Sequence, residues 1–331
     1  MRSSEPLDLL ATEDPVAAFG GAERAGRPLA LPTSGTSGRP RTIIRSTASW
    51  TGSFLAVDEL TGIDGSSRVW VPGPLTATMN LFASVHARWA GATLVADLEA
   101  ATHAHLTPTA LLRVLDTRPV ELAGRHLVVA GDRVDDETRD RVRAAGAGLS
   151  HYYGAAETSF VAWGAHAEAL RPFPGVEVET RDGELWVRSP HLADGYLETE
   201  HTLRGDADGW VTVGDRGEVV AGSVHVHGRE GGITTAGATV RIAEIEHTLR
   251  PHASGEVAVI GLPHPDLGEV VAAAVTHPRD VRHLAAVAPS VLPPAQRPRR
   301  WLHIDALPLT AHDKVDRATL RTAFATARVP A

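Results

Sequence analysis

The chain has 331 residues, 43% of them hydrophobic and 22% charged, with no cysteine and a formal net charge of −8. Without cysteine it forms no disulfide, no thiolate zinc site and no cysteine nucleophile, and nothing marks it as secreted. An acidic balance argues against bulk nucleic-acid binding, no stretch approaches the about 20 apolar residues of a spanning helix, and the start, MRSSEPLDLL, lacks the apolar core of a signal peptide.

The length predicts about two domains in a soluble, cytoplasmic protein. Residues 1–27 carry no clear period and predict an irregular arm or a short helix. From Pro28 a pattern of strands and helices begins. Residues 29–31 predict a short strand that runs into a Gly/Ser/Thr loop, and Ser46 an N-cap for a helix to about Leu60. Strands are predicted over 68–71, 93–96, 126–130 and 150–153, with helices over 77–89 and around 135–144. This alternation predicts an α/β layered domain with a mainly parallel sheet. After Val176 the pattern turns to strands and turns: 184–188, 210–213 and 218–227, punctuated by Asp182-Gly183 and Asp208-Gly209. The glycine-rich break at 228–232 is the best domain boundary. Beyond it a small α+β unit is predicted, with helices at 242–249, 281–287 and from Ala318, and strands at 257–261, 270–275 and 301–304. Nothing in the sequence sets an oligomeric state.

The strongest local signal is Pro32-Thr33-Ser34-Gly35-Thr36-Ser37-Gly38-Arg39-Pro40-Arg41. Two glycines let backbone N–H groups turn inward and four hydroxyls add donors, a combination suited to phosphate oxygens; the same composition also suits a flexible linker. It is not a Walker loop, since Gly-Lys-Ser/Thr is missing. His103/His105 and His225/His227 are i, i+2 pairs that would share a strand face as metal ligands, but no third ligand is placed by spacing, and 17 histidines make such pairs common. No Gly-x-Ser-x-Gly elbow supports a serine hydrolase.

The loop resembles the phosphate loop of the adenylate-forming superfamily, which includes acyl-CoA synthetases, nonribosomal adenylation domains and luciferases, with Arg41 at the family's final lysine. The likeness continues in order along the chain. Tyr153-Gly154-Ala155-Ala156-Glu157 is similar to Tyr-Gly-x-Thr-Glu, whose glutamate helps bind Mg²⁺ and whose tyrosine lies near adenine; Ala156 replaces the threonine that meets the α-phosphate, and Thr158 stands nearby. Asp215 ends a segment similar to Thr-Gly-Asp, whose aspartate accepts both ribose hydroxyls, and Arg229 matches the arginine of Gly-Arg, which reaches the ribose and phosphates. Glu230, Gly231 and Gly232 fall where the family has its hinge, and Gly237 opens a segment resembling the loop used in the thiol step. Pro308 to Arg317 resembles Pro-x-Thr-x-x-Gly-Lys-x-x-Arg, with Asp313 in place of the glycine. Its lysine, Lys314, is the only lysine beside 31 arginines. In the family this residue bridges the carboxylate and the α-phosphate during adenylation. A compact ammonium on a long stem suits that charge, and arginine does not reproduce it.

The resemblance implies a shortened N-terminal AMP-binding domain over 1–228, with its phosphate loop at 32–41 and its adenylate site at 152–158 and 213–215. A hinge at 229–232 and a small mobile domain over 233–331 carrying Lys314 would follow. Relatives carry a further N-terminal subdomain, although short o-succinylbenzoate–CoA ligases are similarly abbreviated. The implied activity is ATP-dependent activation of a carboxylic acid to an acyl-adenylate, with catalysis by Lys314 and Glu157. Transfer to a thiol follows, most simply that of CoA. Cofactors would be ATP, Mg²⁺ on Glu157, and CoA or a phosphopantetheine thiol. Thr76, Ala77, Gly131 and Tyr152 are the candidate acid pocket, in which Ala77 stands where many relatives have a histidine or an aromatic. Alternatives are an enzyme that loads a carrier protein and a nucleotide-binding member that has lost catalysis.

Overall fold

Leu127 to Ala130 are apolar at consecutive positions, the pattern of a strand covered on both faces, and this strand lies inside a seven-stranded sheet. The computed structural model describes residues 5–33, 41–198, 202–228, 232–235, 238–265, 267–310 and 315–327. The chain divides into two units, with the division between Val226 and His227.

The first unit begins with β1 (Leu7–Asp8), α1 (Pro15–Ala25), β2 (Leu29–Thr33), β3 (Arg41–Arg45), α2 (Ala48–Thr51) and α3 (Phe54–Thr61). An alternation follows: β4 (Arg68–Trp70), α4 (Thr78–Trp89), β5 (Thr93–Val95), β6 (His103–Leu106), α5 (Pro108–Thr117), β7 (His126–Ala130), α6 (Asp136–Ala144) and β8 (Gly148–Ala155). Short strands come next: β9 (Ser159–Gly164), β10 (Arg171–Pro172), β11 (Glu177–Arg181), β12 (Glu184–Arg188), β13 (Gly195–Tyr196), β14 (Arg204–Gly205), β15 (Val211–Thr212), β16 (Arg216–Val220) and β17 (Ser223–Gly228).

The seven-stranded sheet has the order β10-β9-β8-β7-β6-β4-β5. From β5 to β8 its pairings are parallel, while β9 and β10 are antiparallel. Leu111, Val114 and Leu115 of α5 and Val142 of α6 cover one face, packed with Ala104, Leu106, Leu127 and Val129. The other face receives Leu81, Phe82 and Val85 of α4, with Trp50, Phe54 and Val128 in the same core. A four-stranded sheet, β1-β2-β3-β13, and a six-stranded one built on β12 complete the unit.

The second unit contains β18 (Gly232–Thr235), β19 (Ala238–Arg241), α7 (Ile242–Leu249), β20 (Val257–His264), β21 (Gly268–Val275), α8 (Asp280–Val291), β22 (Arg300–His303) and α9 (Arg317–Thr326). Side chains alternate along β20 and β21. Val257, Val259, Val271 and Ala273 pack with Ile245, Leu249 and Leu284 of α7 and α8. Ala258, Ile260, Ala272 and Ala274 pack with Leu320 and Phe324 of α9. The predicted class, an α/β unit with a mainly parallel sheet and then a small α+β unit, is the observed one.

Several local expectations change. Residues 15–25 form a full helix, capped by Asp14, started by Pro15 and stopped by Gly26 in the left-handed region. The helix expected from Ser46 is two short ones, broken at Gly52 and Ser53, with Thr47 rather than Ser46 at the first N-cap. Ser46 still accepts the Ser49 amide through its hydroxyl at 3.2 Å. The single strand expected over 218–227 is a hairpin that turns at Ala221 and Gly222, both at positive φ. Strands β6 and β9 and helix α5 were not predicted. Helix α5 follows from Thr107 and Pro108, an N-cap and N1 pair that the sequence does carry.

Candidate active site

In an open parallel sheet, ligands bind beyond the carboxyl ends of the strands. At that edge lie Gly131 after β7, Tyr152 and Tyr153 at the end of β8, and Thr76 and Ala77 in the segment after β4. Ala130 pairs with Tyr152, which sets Gly131 beside β8 in register, and Gly131 takes a φ of 99°. Ala77 is the backbone N-cap of α4 and is buried. Tyr152 stacks on Trp163 at 5.4 Å and meets Phe160 edge-on at 4.7 Å. Burial raises the Tyr152 phenol above its usual range, so it stays neutral.

The turn from β8 to β9 carries Glu157. The ladder slips between Tyr153 and Gly154, and Ser159 takes a φ of 58°. A Cβ on Gly154 would run into the Ser159 carbonyl oxygen, so a glycine is required there. Thr158 is buried, and its hydroxyl accepts the Ala155 amide at 3.3 Å, so it braces the turn in place of replacing the threonine missing at Ala156.

Arg45, which no motif singled out, supports the turn from beneath. It is 1% exposed and donates to the carbonyls of Ala156 at 3.2 Å and His191 at 2.6 Å and to the Ser49 hydroxyl at 2.9 Å. Burial lowers its pKa to about 10, against the opposing fields of Asp194 and Glu157, so it stays cationic at neutral pH.

Glu157 is 6% exposed and accepts the Tyr196 hydroxyl on Oε1 at 2.9 Å. Burial, with the neighbouring Glu157 adding to it and Arg41 opposing it, pushes the Tyr196 phenol up to about 12, which keeps its proton on as a donor. Asp215 is also buried and accepts the Tyr153 hydroxyl on Oδ2 at 2.6 Å. All three tyrosines of the chain therefore lie at this site. That scarcity was the available signal for Tyr196.

Of the phosphate loop, Thr33 and Arg41 pair across β2 and β3 and so bracket it, while Ser34 to Gly38 lie outside the described residues. Arg229, Glu230, Gly231, Gly237 and Lys314 also lie outside them. Gly232 opens β18 opposite Arg241, and Val315, next to Lys314, bridges Leu309.

An oxygen donor suits a hard divalent cation, and Glu157 offers one: Tyr196 engages Oε1 only, and no other described side chain hydrogen-bonds the carboxylate. Among the described residues neither histidine pair belongs to a group of three metal-ligating side chains. His103 is held by the Thr102 hydroxyl at 2.9 Å and the Thr61 carbonyl at 3.1 Å, and His105 is buried with Nε2 unpartnered. The three-ligand group found among the described residues is Asp136, His166 and Glu168. Arg139 on Asp136 at 2.8 Å and Arg133 on Glu168 already balance its charge.

Two buried carboxylates, Glu157 and Asp215, thus lie at one edge of the seven-stranded sheet, each bonded to a tyrosine. The AMP-binding enzyme family matches residues 29–197 and the AMP-binding enzyme C-terminal domain matches 244–314, so the chain belongs to the AMP-binding enzymes. It is 28% identical to the uncharacterized acyl-CoA ligase YhfT of Bacillus subtilis, over 87% of this chain and 67% of that one. The amide bond synthetase McbA of Marinactinospora thermotolerans is 28% identical with a TM-score of 0.77, covering 89% of this chain and 69% of that one. ATP-bound MatB of Rhodopseudomonas palustris, 22% identical, shares the fold with a TM-score of 0.81 over 90% of this chain and 68% of that one. The chain thus spans about two thirds of the length of each of these relatives. No helix among the described residues is long and apolar enough to cross a membrane.

Proposed function

We propose that the chain activates a carboxylic acid with ATP and passes the acyl group to the thiol of CoA. The observation that carries this reading is the pair of buried, tyrosine-bonded carboxylates, Glu157 and Asp215, in a chain of the AMP-binding family. A carboxylate oxygen of the acid attacks the α-phosphorus of ATP, and the bond to pyrophosphate breaks. The thiol sulfur then attacks the acyl carbon, AMP leaves, and the thiol proton goes to solvent.

Asp215 offers a two-oxygen acceptor to the ribose hydroxyls, and Tyr153 holds it in orientation. The loop between Thr33 and Arg41 would take the phosphates, joined by Arg229. Glu157 would hold Mg²⁺, which supplies charge neutralisation on the phosphates. Lys314 follows the charge that develops at the α-phosphate, where an ammonium on a long stem stabilises the transition state. Glu230 to Gly232 serve as the hinge that exchanges Lys314 for the Gly237 loop between the two steps. Thr76, Ala77, Gly131 and Tyr152 line the acid site, where small and aromatic surfaces favour an apolar acyl group.

The similarity to McbA supports a second reading, in which an amine takes the place of the thiol. A panel of carboxylic acids in the ATP–pyrophosphate exchange assay tests the first step, and acid-dependent exchange is expected. CoA, a phosphopantetheinylated carrier protein and simple amines, offered in turn to the activated acid, then separate the acceptors. Absence of exchange with every acid, alongside measurable ATP binding, would overturn the assignment in favour of a nucleotide-binding protein without catalysis.

A further inference from the structure

Glu157 is fixed from one side by a residue outside the motif that contains it. The Tyr196 hydroxyl donates to Oε1 at 2.9 Å. Tyr196 itself is tied to the strand that leaves the phosphate loop. Strand β13 pairs antiparallel with β3, setting Tyr196 against Ile43 and Gly195 against Ile44. The flanking backbone is anchored to both partners: Asp194 N–H donates to the Ile44 carbonyl and Ala193 N–H to the Glu157 carbonyl, each at 2.8 Å. On the far side, the Glu198 carboxylate accepts the Thr42 amide at 3.0 Å. The guanidinium of Arg41, first residue of β3, lies over the Tyr196 ring at 5.7 Å from its centroid.

These contacts form a relay: Arg41 at the exit of the loop, the Tyr196 ring beneath it, and the Glu157 carboxylate at the end. We propose that Tyr196 is a positioning residue that presents Glu157 to the divalent cation, and that Arg41, in contact with Tyr196, links this presentation to nucleotide in the phosphate loop. The inference rests on the reading of Glu157 as the metal carboxylate. A carboxylate with one oxygen held by a phenol offers the other in one direction, which lowers the ordering cost of ligation. Partners that orient a metal ligand commonly change metal affinity by about 10–100-fold when removed. The same contact gives a physical reason for arginine at position 41. A planar guanidinium stacks on an aromatic face, whereas lysine presents a strongly hydrated point charge.

The test uses the full chain with Mn²⁺ as probe, its binding read by electron paramagnetic resonance with a non-hydrolysable ATP analogue bound. Tyr196→Phe keeps the ring and removes only the hydroxyl. Its Mn²⁺ affinity is expected to fall about 10-fold or more, while the analogue's affinity in EDTA and the thermal unfolding profile stay near wild type. A merely structural tyrosine would lower stability and leave Mn²⁺ affinity in the folded fraction unchanged, which overturns the proposal. Arg41→Lys keeps the charge and loses the planar guanidinium's contact with Tyr196. It is expected to weaken Mn²⁺ with the analogue present and leave Mn²⁺ binding alone unaffected; equal weakening in both cases overturns the link to the loop. Glu157→Gln separates the two levels. If it retains wild-type Mn²⁺ affinity, the metal role of Glu157 falls and the positioning role with it. If only Glu157→Gln loses affinity, the metal role stands and the positioning role is refuted.

Discussion

The Tyr153 hydroxyl donates to Asp215 Oδ2 at 2.6 Å, joining the end of a parallel strand to a turn 62 residues further along the chain. The bond holds a buried carboxylate in one orientation before any ligand arrives. Removing the donor with Tyr153→Phe takes away one of the bonds that orient Asp215 and is expected to raise the KM for ATP about 5- to 10-fold, the equivalent of about 1 kcal/mol. The turnover rate at saturating ATP should change little. Asp215→Asn, which trades an acceptor oxygen for an amide donor, should cost more in kcat/KM than Tyr153→Phe. Steady-state pyrophosphate exchange over a range of ATP concentrations checks both.

Gly154 and Gly21 respond to alanine in opposite directions. A Cβ at Gly154 meets the Ser159 carbonyl, a backbone atom that cannot move without opening the β8–β9 turn. Gly154→Ala should destabilise by about 2–3 kcal/mol and reduce adenylation in the fraction that folds. Gly21 lies exposed inside α1 with open space around its Cβ direction. Gly21→Ala should stabilise by about 0.5–1 kcal/mol. Urea denaturation of the two variants beside wild type measures the contrast.

Arg45 is the strut of the Ala155 to Glu157 turn, and its loss strands two buried carbonyls, those of Ala156 and His191. Arg45→Met is expected to cost about 3 kcal/mol or more and to lower exchange activity by displacing Glu157. Arg45→Lys keeps the charge and cannot span both carbonyls, so it should fall between Met and wild type. Chemical denaturation, with activity normalised to folded protein, distinguishes the order.

Acid should weaken the first unit through its histidines. Burial lowers His105 to about 3, helped by His86, His103 and His126, and lowers His151 to about 4 against the opposing bond to the Val129 carbonyl. Both folded pKa values lie below the unfolded value near 6.5, so the unfolded chain binds these protons first. The stabilisation is complete above about pH 6.5 and is lost as pH falls through the window down to about 4 for His151 and about 3 for His105. Within it each histidine should remove about 1.4 kcal/mol per pH unit. His105→Leu should flatten the fall in Tm between about pH 7 and pH 5. An unchanged slope would show that His105 titrates normally in the folded state.

The parts legible in the sequence are those fixed by near neighbours. Consecutive apolar residues gave away β7, the Tyr153-Gly154 step marks the slip near the end of β8, and the order of motifs carries the family. The missed elements break the pattern that strands normally show. His103 and His105 place imidazoles on one face of β6; glycines at 20 and 21 weaken the helical period of α1, which the sequence leaves as an arm or a short helix. Arg45 and Tyr196 were hidden for a different reason. Arg45 reaches the Ala156 carbonyl across 111 residues, and Tyr196 reaches Glu157 across 39. Only folding brings such partners together, and a lone arginine or tyrosine in a short strand has no spacing that announces it.

Lys314, the single lysine of the chain, is proposed to serve acid activation and not the later transfer. The most direct measurement is acid-dependent ATP–pyrophosphate exchange by Lys314→Ala, set beside thioester formation by the same variant from supplied acyl-adenylate and CoA. Loss of exchange by about 100-fold or more with transfer retained is the predicted result. Exchange at the wild-type rate in Lys314→Ala would show that this lysine takes no part in acid activation.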